Sequence, residues 1–194
     1  FLWVFPMQFN ILDYGFASLD NYFMLAPWVF LFLIPAITMR SFAEEHKNGT
    51  MEMLLTKPVT DLEIILAKYL AAVLLVLFSV LPTLVYYVTV YQLGLPPGNL
   101  DHGGTWGSYI GLVFLGAGFA AIGIFASAIS GNQIVAFLLA VFLSGFMYTG
   151  FEFIYDLSVF GSFGLFVKQL GINAHYTGMS RGVIDTRDLL YFLS

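Results

Sequence analysis

Any chemistry in this chain would have to come from three histidines, twelve carboxylates and a scatter of hydroxyls, because cysteine is absent. Disulfides, thiolate metal sites and cysteine nucleophiles are therefore excluded together, and nothing is said about redox compartment. His46, His102 and His175 stand far apart, each in a loop or tail between apolar runs. A metal centre or catalytic set needs several such groups converging on one point, so isolated histidines read as surface or structural residues ahead of ligands. Within the apolar runs the polar choices are hydroxyls such as Ser79, Thr83 and Ser144. An intramembrane enzyme would need a buried base or metal beside such a hydroxyl. Between Tyr69 and Leu100, and again between Thr105 and Phe151, no residue carries a charge. Proton- and ion-driven transporters keep ionisable groups at mid-membrane despite their cost, so no such relay can be drawn here. A G-x-x-x-x-G-K-[ST] phosphate loop is missing as well, so by recognisable means the chain neither binds ATP nor harvests an ion gradient.

The elements around these residues are membrane spans. Of 194 residues, 59% are hydrophobic and only 10% are charged, too little polar surface to cover a soluble globule. A net charge of −5 with dispersed Lys and Arg excludes nucleic acid as a partner and leaves the lipid bilayer as the main solvent. Crossing about 30 Å of hydrocarbon takes roughly 20 apolar residues, and four segments qualify: Tyr22–Thr38, Tyr69–Tyr91, Tyr109–Ile129 and Gln133–Phe151. The expected fold is all-α, a polytopic transmembrane helical bundle forming one transmembrane domain over 1–194. Its parts are spans at 22–38, 61–91, 107–129 and 133–151, a cytoplasmic region at 40–58, and external segments at 92–106 and 152–188. The chain opens on Phe1 with no charged stretch before an apolar core, and Leu189–Ser194 begins another apolar run. The expectation is a piece of a longer chain, whose N-terminus is neither a native start nor a signal peptide and whose last helix is incomplete.

Local signals sharpen the second span. Pro58 stops what precedes it, and Thr60-Asp61-Leu62-Glu63 has the form of a capping box, with Val59 placed to staple onto Ile64. The helix should begin near Asp61, run past Lys68, whose stem can snorkel, and kink at Pro82. Pro27 and Pro35 in the first span are entry or kink positions. Arg40, Lys47, Lys57 and Lys68 flank a single connection, whereas Phe1–Asn21 and Gly94–Trp106 hold no Lys or Arg, which puts the 40–68 connection on the cytoplasmic side. The Ser130-Gly131-Asn132 turn then falls on the same side, and Glu152–Asp188 outside.

The third span carries Gly107, Gly111, Gly116, Gly118 and Gly123, with Ala120 and Ser127 continuing a four-residue spacing. Small residues at that spacing let helix backbones approach closely, either inside one bundle or at a seam between subunits. The 40–58 region reads as two short helices. Asn48-Gly49 closes the first, Thr50 caps the second with Glu52 in its first turn, and Pro58 ends it. Phe42, Met51, Met53, Leu54 and Leu55 give it an apolar side. A helix lying in lipid headgroups would prefer a Lys/Arg-rich polar face; glutamates set against basic residues suit a protein partner better.

The string RSFAEEHKNGTMEMLLTKPVTDLEIILAKYLA resembles the signature of type-2 ABC exporter permeases, and is particularly similar to the gliding-motility-associated permeases of Bacteroidetes. The tail HYTGMSRGVIDTRDLLYFLS is similar to the approach to the last helix in that family. Ala67 stands where Gly is common before Lys68. The resemblance implies a permease subunit of an exporter in the bacterial cytoplasmic (inner) membrane, without an ATPase site of its own. ATP and Mg would sit on a separate ABC ATPase subunit, a second permease subunit would complete the complex, and this chain would bind no cofactor itself. It also implies that Phe42, Glu44, Glu45, Gly49, Thr50, Glu52, Leu54, Leu55, Lys57 and Pro58 form the region that meets the ATPase. The four spans would be helices two to five of six, and Ser158–Ile172 short external helices capping the bundle. A membrane scaffold without transport, or an intramembrane enzyme, are the alternatives.

Overall fold

A computed structural model describes residues 18–56, 58–94, 96, 98–157, 164–182 and 185–194. Among them there are helices and no strands. Four helical stretches are long and apolar enough to cross a membrane: Asp20–Asn48, Asp61–Leu93, His102–Ala128 and Gln133–Asp156. In the first, α1 (Asp20–Thr38) keeps its helix through Pro27 and Pro35, and after a short turn α2 (Ala43–Asn48) and α3 (Met51–Leu55) follow.

The second stretch starts as expected. At the head of α4 (Asp61–Val80) the Glu63 amide donates to Thr60 Oγ1 (3.4 Å) and the Thr60 amide to Glu63 Oε2 (2.8 Å), satisfying two amides that lack helical partners. At Pro82 the helix tightens into a 3-10 turn over Leu81–Thr83 and resumes as α5 (Leu84–Leu93), because proline can neither donate nor fit under the preceding turn. The Tyr109 hydroxyl reaches across to donate to the Thr83 carbonyl (2.9 Å), fastening the kink. Leu62, Leu66, Leu70, Leu74 and Phe78, one every four residues, line an exposed face of α4. In a lipid solvent that apolar stripe needs no cover.

The centre of the bundle is α6 (His102–Ala128), packed by α1, α4, α7 and α10. Its helix begins seven residues before Tyr109, the expected start of the span. The Asp101 carboxylate caps it by accepting from the Gly104 amide (3.0 Å), so the glycine-rich stretch is helix, not loop. Leu112, Leu115, Phe119 and Ala120 are fully buried along it. The fourth stretch, α7 (Gln133–Gly145), widens into one π turn at Phe146–Gly150 and continues as α8 (Phe151–Asp156), five residues past the expected end of the span.

The expected external segment thus starts inside a helix. It goes on through α9 (Gly164–Gln169), α10 (Ile172–Ser180) and α11 (Thr186–Leu193); residues 158–163 of the expected external capping helices lie outside the described residues. α10 lies against the start of α6. Gly107 and Gly111 admit Met179 and Tyr176, and the Tyr176 hydroxyl donates to the Phe23 carbonyl of α1 (2.8 Å). α11 is held by His175, whose ring stacks on Tyr191 (4.0 Å between centroids) and whose nitrogens face Asp188 Oδ1 and the Gln169 carbonyl, each at 2.7 Å. Asp185 caps α11, and the Arg187 amide on its carboxylate holds it below the usual carboxylate range.

Candidate functional site

A polar cluster stands at the corner where α1 turns into α2. Phe42 at the head of α2 has no side-chain oxygen to cap the helix, and the start of α2 is buried, so its free amides need an acceptor from elsewhere. Ser127, in the last turn of α6, supplies it. Its Oγ accepts from the Phe42 amide (2.9 Å) and the Ala43 amide (3.0 Å) and donates to the Met39 carbonyl (3.0 Å). One donor and two lone pairs exhaust a hydroxyl, and here all three are used. One turn earlier on the same stripe, Gly123 lies so close to Thr38 that any Cβ would collide with its hydroxyl. Gly116 meets Val76 of α4 and Phe30 of α1, and Ala120 between them is fully buried. The small-residue stripe therefore has its close neighbours in α1, α4 and α10 of the same chain.

The second anchor is Lys68 of α4. Its ammonium lies 2.6 Å from Glu45 Oε1, donates to the Ser41 carbonyl, and sits 4.4 Å over the Phe42 ring. It joins α4 to α2, where the sequence allowed for a side chain snorkelling toward headgroups. A cation shared by a carboxylate, a carbonyl and a ring face fixes geometry better than a surface ion pair does. The other carboxylate oxygen, Glu45 Oε2, is buried without a partner among the described residues.

The expected contact residues thus divide. Phe42 and Glu45 point into the molecule. Glu44, Gly49, Thr50, Glu52 and Pro58 are exposed, together with His46, Lys47 and Met53. Leu54 and Leu55 belong to α3; their side chains, and Lys57 altogether, lie outside the described residues. Gly49 has φ +66°, and the bonds from Gly49 N to the His46 carbonyl (3.4 Å) and from Thr50 N to the Glu45 carbonyl (3.0 Å) make the glycine-closed helix end that the sequence signals. The Thr50 hydroxyl turns back toward the Glu45 carbonyl (3.5 Å).

Beneath this corner an apolar cleft of about 610 Å³ opens between α3, α4 and α6, with Met51, Ile64, Tyr69 and Phe125 on its walls and His46 and Asp61 at its rim. The exposed, charged pair of short helices is tied at α2 by one hydroxyl to the central span and by one ammonium to its neighbour.

The family model for ABC-2 family transporter proteins matches residues 9–185. The chain belongs to that family. No curated protein and no solved structure matches it. Membership makes this ABC-2 chain a multi-pass membrane permease component of an ABC transporter, in a family that normally works with an ATPase subunit. In this permease the roles of Ser127 and Lys68 escape a sequence reading, because both partners of each contact lie far apart in the chain. The four-residue spacing from Gly123 to Ser127 was the signal for a close seam, and it could not say what the seam meets.

Proposed function

We propose that this ABC-2 permease is the membrane half of an exporter in the bacterial cytoplasmic membrane, driven by an ATPase subunit that docks on the exposed face of α2 and α3. The supporting observation is the anchored corner: Glu44, Lys47, Glu52 and Met53 are free to meet a partner, while Ser127 and Lys68 fix the same helices to α6 and α4. A charged rim around an apolar residue is the usual make-up of a protein contact. ATP and Mg would lie on the partner, and a second permease subunit would complete the complex. The likeness of residues 40–71 to gliding-motility permeases favours that subtype.

The experiment is purification of the intact protein from native membranes with its ATPase. Glu52→Lys and Glu44→Lys, both outward, are expected to lower ATPase recovery and substrate-stimulated hydrolysis about fivefold to a hundredfold while the bundle still inserts. If no ATPase accompanies the wild-type chain, a scaffold role replaces the exporter. If the variants keep partner and activity, the docking face is elsewhere.

A further inference from the structure

At the end of the bundle away from α2 and α3, a second cavity of about 440 Å³ lies among the start of α1, the start of α6, the π turn and α10. Its lining differs in kind from the apolar cleft. Asp20 and Glu152 bring carboxylates, Asn173 an amide, and Thr149, Ser108 and Ser180 hydroxyls. The three hydroxyls donate to backbone carbonyls, of Gly145 (3.0 Å), Ser180 (3.4 Å) and Thr177 (2.9 Å) respectively, which leaves their lone pairs for the cavity. Among the described residues no cationic side chain lines it, although Lys168 stands 3.4 Å from Glu152 Oε1, and the Asn173 amide donates to Oε2 (2.7 Å).

Two further observations point to an occupant. Tyr148 is 94% buried on its wall, being 6% exposed, and among the described residues its hydroxyl has no hydrogen-bond partner, while the oxygen is not sealed off as those of Ser144 and Glu45 are, so it is open to a group in the cavity. It also sits in the π turn, an irregularity that costs helix geometry and recurs at functional sites. The ring is placed by edge-on contacts with Trp28 (6.0 Å) and Phe119 (6.1 Å).

A cavity rich in acceptors, with ring faces and two carboxylates of which Glu152 is only partly offset by Lys168 at its edge, suits a ligand that donates hydrogen bonds and is positively charged. Its other side is formed by Met24 and Trp28, half-exposed apolar side chains on the outer surface of α1, so the apolar part of a ligand would lie toward lipid. We propose that this cavity binds an ammonium group carried on an apolar body, with the ammonium between Glu152, Asp20 and the Tyr148 hydroxyl. The site is independent of the ATPase assignment. Such an amine could arrive from the bilayer or from water.

The test uses the intact protein in phosphatidylglycerol nanodiscs, a lipid without an amine, and measures binding of labelled phenethylamine by equilibrium dialysis against empty nanodiscs. One saturable site per chain is expected, displaced by dodecylamine and not by glucose or dodecanol. Displacement at much lower dodecylamine concentration identifies a membrane-borne amine; equal potency identifies an aqueous one. Glu152→Gln and Asp20→Asn should each weaken binding about tenfold or more, and Tyr148→Phe about threefold to tenfold, with Asp61→Asn at the head of α4 unchanged. Tyr148→Phe removes a single oxygen and keeps the packed ring, so it reads out even if a carboxylate variant fails to fold. No saturable binding above empty nanodiscs, displacement by glucose as good as by amine, or wild-type affinity in Tyr148→Phe and the folded carboxylate variants would overturn the assignment.

Discussion

Two buried serines permit a controlled comparison. Ser127 in α6 and Ser144 in α7 are both fully buried, yet Ser127 Oγ makes three hydrogen bonds and Ser144 Oγ has none among the described residues. Replacing either by alanine removes one oxygen and almost no volume, so packing drops out of the comparison. Ser127→Ala strands the amides of Phe42 and Ala43, which water cannot reach, and the Met39 carbonyl. Loss of a helix cap alone costs about 1 kcal/mol, and each buried orphan about 1–3 kcal/mol. With local relaxation the total is about 2–4 kcal/mol. For a chain of this size that lowers Tm by roughly 5–12 °C. Ser144→Ala removes a hydroxyl buried without a partner, a burden of about 1–3 kcal/mol in proteins, and should leave Tm unchanged or raise it by a few degrees. The assay is thermal unfolding of both purified variants in one detergent, with hydrogen exchange read at the first turn of α2. Exchange there should rise in Ser127→Ala only. Equal Tm for the two variants, or unchanged protection of the Phe42 and Ala43 amides, would refute the claim that Ser127 caps α2 from another helix.

Other expectations follow from the same geometry. Gly123→Ala should destabilise the bundle by about 1–3 kcal/mol through collision with the Thr38 side chain, and Thr38→Gly in the same chain should recover part of it in a double-mutant thermal series; simple additivity would remove the contact. Lys68→Met should cost about 1–2 kcal/mol by leaving Glu45 unpaired beside Phe42, and adding Glu45→Gln should restore part of that loss, as a double-mutant cycle in detergent would read. For orientation, a cysteine at Asn48 should react with impermeant thiol reagents only from the cytoplasm and one at Asn99 only from outside; the reverse pattern inverts the topology.

What the sequence made legible was whatever depends on neighbours in the chain. The Thr60–Glu63 box, the Gly49 helix end and the break at Pro82 each involve residues a few positions apart, and each stands where its residue types put it. The helix that carries the third span starts at His102, ahead of the apolar stretch, because Asp101 and packing against α10 hold Gly103, Gly104 and Gly107 in helix despite their low propensity. The π turn at Phe146–Gly150 left no mark in the sequence, since a five-residue hydrogen-bond step has no residue signature. At the candidate site the exposed glutamates could be read as a polar face, but Glu45 could not be separated from Glu44 without seeing Lys68 arrive from α4.

The cap on α2 also sets an order of events in the making of the protein. Ser127 lies 85 residues after Phe42. At about 5–20 residues per second, a ribosome needs roughly 4–17 s to add them. Throughout that interval the first amides of α2 exist without their acceptor. Hydrocarbon would leave them unsatisfied at a cost of several kcal/mol each, so the corner must wait at the aqueous boundary, with water in the place the serine later takes. The third span thus delivers the fastening for a joint made two spans earlier, and a chain stalled before Ser127 would hold α2 through Lys68 alone, with its first turn open to proteases.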